Sequence, residues 1–363
     1  MTILLFILVL VVLIVVHELG HFFAAKAFKM RVDEFGIGYP PKAVGWRRGE
    51  TEYTLNWLPF GGFVKIFGED GVNGEPEPRS FVSKPQWQQA VVLAAGIVMN
   101  ILLAYVIFTI TLAVGMPRAL TEDEVHTAPD AALAISHVVP SSPADTAGLK
   151  RGDIITSVSK NGEVLEAKSA EDFTEFVAQS ENEKLTLSVT RGAEELTLIA
   201  VPERGVIQSD EDRAALGVAV ASFGTVSVPW YQAPIEGAVL TWGVIQEVAV
   251  GLVMFFGSVF TFSADLSQVS GPVGIAGAVG DAGASGIIPL LTLTALISIN
   301  LALINLLPFP ALDGGRLLFV GIEAITRRRI PAMLSGTLNF VGFAFLILLM
   351  LVITASDVLK LFA

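Results

Sequence analysis

His17-Glu18-Leu19-Gly20-His21 sets two imidazoles and a carboxylate inside a stretch that otherwise reads as a membrane-spanning helix. Residues 2–16 are almost uninterrupted Ile, Leu, Val and Phe, and the apolar helix runs on to about Phe28, long enough to cross the hydrocarbon core. A signal peptide would instead need a basic start and a small-residue cleavage site after a shorter apolar core, and neither is visible. Positions four apart share one face of a helix, so both histidines can present a ring nitrogen to a single ion with Glu18 beside it. Zinc takes nitrogen and oxygen ligands tetrahedrally, and a catalytic site leaves one position open for a water that an adjacent glutamate can deprotonate. The spacing therefore points to hydrolysis. A stabilising histidine–carboxylate pair, or a proton-transport site, would use the same residue types.

The composition agrees with a membrane protein. Of 363 residues, 53% are hydrophobic and only 16% charged, and the apolar residues gather in long runs around a polar middle. Cysteine is absent, so any metal must be held by His, Asp or Glu. The net charge of −12 comes mostly from the polar middle and argues against nucleic acid as a partner.

Along the chain, residues 1–28 form the first transmembrane helix and 29–88 a polar segment rich in Gly and aromatics. Residues 89–116 form the second span. Residues 122–203 have the pattern of a soluble α+β domain, with β-branched runs at 134–139, 154–158 and 185–190 and a helical stretch at 170–179. A region at 204–286 holds an apolar stretch at 235–262. A third span with its following loop occupies 287–331, and a fourth span with a tail occupies 332–363. Lys26, Lys29 and Arg31 follow the first span, and Arg316 and Arg327-Arg328-Arg329 precede the last. Basic loops face the cytoplasm, which requires an even number of crossings between these two clusters. The spans at 89–116 and 287–307 supply them, so 235–262, which carries Glu236 and Glu247, is expected to lie at the outer surface as an amphipathic helix. The expected fold is thus four transmembrane helices, with both termini and the soluble domain outside.

Asn305-Leu306-Leu307-Pro308-Phe309-Pro310-Ala311-Leu312-Asp313-Gly314-Gly315 closes the third span. Asp, Gly and Pro are turn formers and would serve simply to end a helix. Depth adds a second reading. His17 lies about 24 Å along an inward-running helix at 1.5 Å per residue, and Asp313 follows another inward crossing. His17, His21 and Asp313 can therefore converge on one ion near the cytoplasmic leaflet.

With these two motifs in this order, the chain resembles the site-2 protease family of intramembrane zinc metalloproteases, in its bacterial PDZ-containing branch that processes anti-sigma factors. The family's HExxH stands at His17 to His21 and its NxxPxxxLDG at Asn305 to Gly314. The resemblance implies Zn2+ held by His17, His21 and Asp313, with Glu18 as general base. Gly61-Gly62-Phe63-Val64-Lys65 is similar to the membrane-associated β-loop that seats substrate, and Ser270-Gly271-Pro272-Val273-Gly274-Ile275 is also family-like. Where the family usually has Gly-Pro in the second span, this chain has Gly96-Ile97, so that helix is expected to be less bent. The soluble domain looks like a PDZ domain through Ser142-Pro143-Ala144-Asp145-Thr146-Ala147-Gly148-Leu149-Lys150-Arg151-Gly152-Asp153. Only one such domain fits, whereas the best-known relatives carry two. It would either capture a peptide by strand addition or act as a steric sieve. His126 and His137 within it are assigned no metal role.

The function implied is cleavage of transmembrane segments, such as those of anti-sigma factors or signal-peptide remnants, in regulated intramembrane proteolysis at the bacterial cytoplasmic membrane. The substrate would be a single-span protein already trimmed by another protease. Asn300 and Asn305 could hydrogen-bond its unwound backbone, and Gly61 to Lys65 could add a strand to it. Two other classes use some of the same features. A pseudoprotease would hold clients through the PDZ-like domain but would not require all four catalytic-type residues. An ion transporter would need a further chain of polar groups across the membrane, of which little exists beyond Asn100.

Overall fold

The computed structural model describes residues 1–69, 77–125, 128, 130–192, 194–206, 213–261 and 270–360. In chain order the elements begin with α1 (Thr2–Ala27), β1 (Val32–Arg48), β2 (Thr51–Ile66) and α2 (Gln86–Val114). There follow β3 (Met116–Ala119), α3 (Glu122–Val125), β4 (Ala132–Val138), α4 (Pro143–Thr146), β5 (Ile154–Lys160), β6 (Glu163–Glu166) and α5 (Ala170–Ala178). The remainder are β7 (Leu185–Arg191), β8 (Glu194–Ala200), β9 (Val218–Val226), α6 (Ala233–Phe260), α7 (Pro272–Ser285), α8 (Ile287–Leu306), α9 (Asp313–Thr326) and α10 (Ala332–Lys360). They form two compact units, Met1–Ala113 with Pro229–Ala363, and Val114–Val228.

In the first unit small residues set how the helices pack. Gly20 lies against the Ala95 backbone, where any Cβ would collide, so α1 and α2 come into close approach. They run antiparallel, with His21 level with Val92 and His17 level with Asn100. Gly280 and Gly283 of α7 face Thr2 and Leu5 at the start of α1. At its other end α7 meets the last turns of α10, where the Gly274 N–H donates to Asp357 at 2.9 Å and a Cβ on Gly271 would strike the same carboxylate. The family-like stretch from Ser270 to Ile275 is thus the socket for a 5% exposed acid that caps a helix N-terminus.

Among the described residues, five helices are long and apolar enough to cross a membrane: α1, α2, α6, α8 and α10. Helix α6, expected from sequence at the outer surface, meets that criterion by length and composition, although only 6% of its most apolar window is buried. Phe262, at the end of the expected stretch, lies outside the described residues. Helix α2 continues without interruption through Ile97.

Strands β1 and β2 each fold back on themselves, giving four runs in the order 42–48, 51–56, 32–37, 62–66. Residues 62–66 are one edge of this sheet and pack against α1.

In the second unit an antiparallel sheet has the order β3-β9-β4-β5-β7-β8, with β6 on β5. Alternating residues of β4 and β7 bury Leu133, Ile135, Leu185, Leu187 and Val189, and β5 adds Ile155 and Val158 on either side of a register shift, with Phe173 and Val177 of α5. Ser169 caps α5 by accepting from the Asp172 N–H at 3.1 Å, and Ser142 caps α4 with Pro143 in its first turn. The unit takes in residues 122–203 together with β3 and β9, which bracket them in sequence and pair with each other.

Candidate metal centre

Helix α1 carries His17 and His21 four residues apart, and their side chains turn inward, leaving the residues 7% and 8% exposed. Asp313 reaches them from the first turn of α9. The chain can reverse there because Gly314 and Gly315 lie against the carbonyls of Leu306, Leu307 and Phe309, where a Cβ has no room. Helix α10 pins the connecting loop: Asn339 accepts from the Ala311 N–H at 3.2 Å, and Phe345 packs on Phe309. The LDG sequence is therefore both the turn and the carrier of the acid.

His17 Nε2 lies 3.0 Å and His21 Nε2 3.3 Å from the same Asp313 oxygen, Oδ2, and the two Nε2 atoms are 3.2 Å apart. Among the described residues no other group of three or more His, Asp or Glu offers converging donors. The Nδ1–H of His21 donates to the Val92 carbonyl at 2.8 Å, which leaves the Nε2 lone pair for an ion. Three electron-rich atoms so placed repel unless a cation or proton sits among them. Donors ~2.0–2.1 Å from a tetrahedral zinc lie about 3.3 Å from one another, so the donor set fits that ion. Gly96 of α2 faces the pair, and a Cβ there would run into His21 Nε2 and His17 Cε1.

Glu18 is half-buried beside His17 and within electrostatic reach of His17, His21 and Asp313. Its other neighbour is the sheet edge, where a Cβ on Gly62 would meet the side chains of Ile14 and Glu18. Gly61 has φ +114° and lies under the Tyr39 ring, which stacks on Phe63. Val64 and Lys65 continue this edge, paired on one side with Phe35 and Glu34. The structure thus brings Gly61 to Lys65 alongside the helix that carries Glu18. Asn300 donates into its own helix, to the Leu296 carbonyl at 2.9 Å, and Asn305 is half-buried in the last turn of α8. His137 is exposed on β4, away from any such cluster, and His126 lies outside the described residues.

Val92, Gly96 and Asn100 were not singled out from sequence as parts of this centre. Asn100 carries a signal that could have revealed it, a polar residue inside an apolar span, whereas Val92 acts through its backbone carbonyl and Gly96 through the room it leaves.

A sequence model described as peptidase family M50 matches residues 5–349. A protein of Clostridium perfringens with a provisional zinc-metalloprotease name is 35% identical, covering 96% of this chain and 95% of its own length. The zinc metalloprotease RasP of Bacillus licheniformis is 31% identical, and the regulator of sigma-W protease RasP of Bacillus subtilis 30%; each match covers 99% of both chains. A solved PDZ domain from Listeria monocytogenes is 16% identical, covers 24% of this chain and 85% of that one, and has a TM-score of 0.21, too slight a likeness to bear on the fold.

Proposed function

The chain belongs to peptidase family M50, the site-2 proteases, and on that premise we propose that it cleaves transmembrane segments of membrane proteins within the bilayer. It is a zinc metalloprotease, and His17, His21 and Asp313 would hold the ion. The observation that carries this assignment is the convergence of their three donor atoms at 3.0–3.3 Å.

Bound there, zinc supplies a polarised carbonyl and a water of lowered pKa. Glu18 takes a proton from the attacking water onto its carboxylate and later gives it to the leaving nitrogen. A transmembrane helix resists attack because its carbonyls are already hydrogen-bonded. The edge strand from Gly62 to Ile66 offers a remedy, since its outer side has no strand partner among the described residues and lies by α1. An unwound substrate added to that edge exchanges helical hydrogen bonds for strand ones. Asn305, which has no side-chain hydrogen bond among the described residues, is free to hold the same backbone, and Asn300 is assigned a lesser part.

The topology proposed is four crossings, with the site near the cytoplasmic leaflet of a bacterial membrane and residues 122–203 extracytoplasmic. Helix directions support it. Helix α7 joins the start of α1 to the end of α10, so both lie on one side. Helix α8 begins directly after α7, on that same side, and ends toward Asp313. A crossing by α6 would leave the short chain between Phe260 and Pro272 to carry it back. Substrates are proposed to be single-span proteins such as anti-sigma factors, trimmed beforehand by another protease.

Purified protein should carry about one zinc per chain. Elemental analysis showing undiminished zinc in His21→Ala and Asp313→Ala proteins would refute the ligand assignment. Labelling of a cysteine at Arg328 by an impermeant reagent in intact cells would overturn the topology.

A further inference from the structure

We propose that Asn100 is the positioning residue for His17, its side-chain oxygen accepting the Nδ1–H of the imidazole and so fixing that ring as a metal ligand. The inference rests on the zinc reading above and adds a residue from the second span to it.

Asn100 is fully buried on α2, and its amide ends at Nδ2, 3.4 Å from His17 Nδ1. The other end, Oδ1, is buried with no hydrogen-bond partner among the described residues. A buried carbonyl oxygen left unpaired costs about 1–3 kcal/mol, so this arrangement calls for an explanation. For His17 to offer the Nε2 lone pair to an ion, the neutral ring must carry its proton on Nδ1, and a buried N–H needs an acceptor. Nδ2 cannot accept. A half-turn of the amide exchanges its two ends with no change of shape. It pairs the oxygen with the imidazole N–H and turns Nδ2 to the place the oxygen held, so the buried N–H of the ligand ring gains the acceptor that metal binding requires.

The rest of α2 supports this assignment. His21 already has its Nδ1–H on the Val92 carbonyl at 2.8 Å. Two turns further along the same face, the backbone gives way to a side chain at the level of His17, with Gly96 between them leaving room for both rings. Asn100 is itself held in place, because its main-chain carbonyl accepts from Ser298 Oγ of α8 at 2.8 Å. One helix face therefore supplies both histidines with acceptors.

The test measures zinc affinity of the full chain in detergent by competition with a chromophoric chelator, beside the visible spectrum of the cobalt-substituted protein. Asn100→Leu keeps the branched outline of the side chain and removes the acceptor, and it should bind zinc ~10–100-fold more weakly with an altered cobalt spectrum. Asn100→Asp restores an acceptor and should recover zinc binding. A contact that merely packs helices predicts no such rescue. Wild-type zinc affinity in folded Asn100→Leu protein would overturn the proposal, as would folded Asn100→Asp protein that binds as weakly as Asn100→Leu. Full zinc retention by His17→Ala would instead defeat the ligand assignment itself, and this inference with it.

Discussion

Asp153 and Asp313 are both inward-facing carboxylates, one in the sheet-based unit and one among the apolar helices, and they differ in what faces them. Asp153 receives Arg191 Nε at 2.7 Å on one oxygen and Arg191 Nη2 at 2.8 Å and the Lys150 N–H at 2.9 Å on the other. The same guanidinium also reaches the Gly148 carbonyl at 2.7 Å. Both carboxylate oxygens are satisfied, and the result is a structural tie between the start of β5 and the end of β7. Asp313 faces two imidazole nitrogens with lone pairs of their own. Burial of charge alone does not mark a functional site. The mark is a set of like donors aimed at one point with nothing within the chain to complete them.

The comparison makes graded predictions. The largest effect should come from Glu18→Gln, which removes a general base while sparing the ligands: cleavage of a membrane substrate should fall by ~10²–10⁴-fold with zinc content unchanged. Equal loss of zinc in that protein would show that Glu18 belongs to the ligand set. Next comes Gly96→Ala, whose added methyl would meet the two imidazoles first. Overpacking of about 1–3 kcal/mol should weaken zinc binding by roughly tenfold or more, read by chelator competition.

Asp153→Asn should do the opposite. It should leave the cleavage rate alone and cost the second unit about 2 kcal/mol of local stability, seen as faster amide exchange in β5 and β7. The Arg191 hydrogen bonds hold the Asp153 carboxyl below the usual carboxylate range. A depressed folded-state pKa gives stability that is present above the unfolded value of about 3.9 and is lost as pH falls through the folded value. Protection in β5 and β7 should therefore hold down to about pH 4 and decline below it, and the decline should be blunted in Asp153→Asn. The smallest effect should follow removal of the whole second unit. Deleting 114–228 with a short linker should leave zinc content and cleavage of a trimmed substrate nearly unchanged, because none of the proposed catalytic residues lies there. Loss of cleavage in a folded, zinc-loaded deletion protein would make that unit part of the chemistry.

Much of the candidate centre was legible because its chemistry sits in side chains. Two imidazoles and an acid at helical spacing in an apolar run have few uses, and an LDG turn announces its own geometry. Strands β4, β5 and β7 and helix α5 were legible for a similar reason, since β-branched runs and a helical stretch between them are local signals. What sequence did not disclose is mostly backbone. The Val92 carbonyl carries no residue-type signal, and Gly96 matters only through the collision it avoids. Strand β9 was missed although Val218, Val220, Phe223, Thr225 and Val226 suit a strand, because its partners, β3 and β4, are distant in sequence. The doubling back of β1 and β2 likewise follows from pairing between distant runs.

The Asp357 socket has a practical consequence for anyone shortening this chain. The carboxylate in the last turns of α10 stops the N-terminus of α7, and α7 in turn shoulders Thr2 and Leu5 in the opening turn of α1, well ahead of the first ligand, His17. Trimming α10 ahead of Asp357 would take away a keystone whose arch ends on the histidine helix. A truncation that looks remote from the chemistry would be felt there as a loosened first helix.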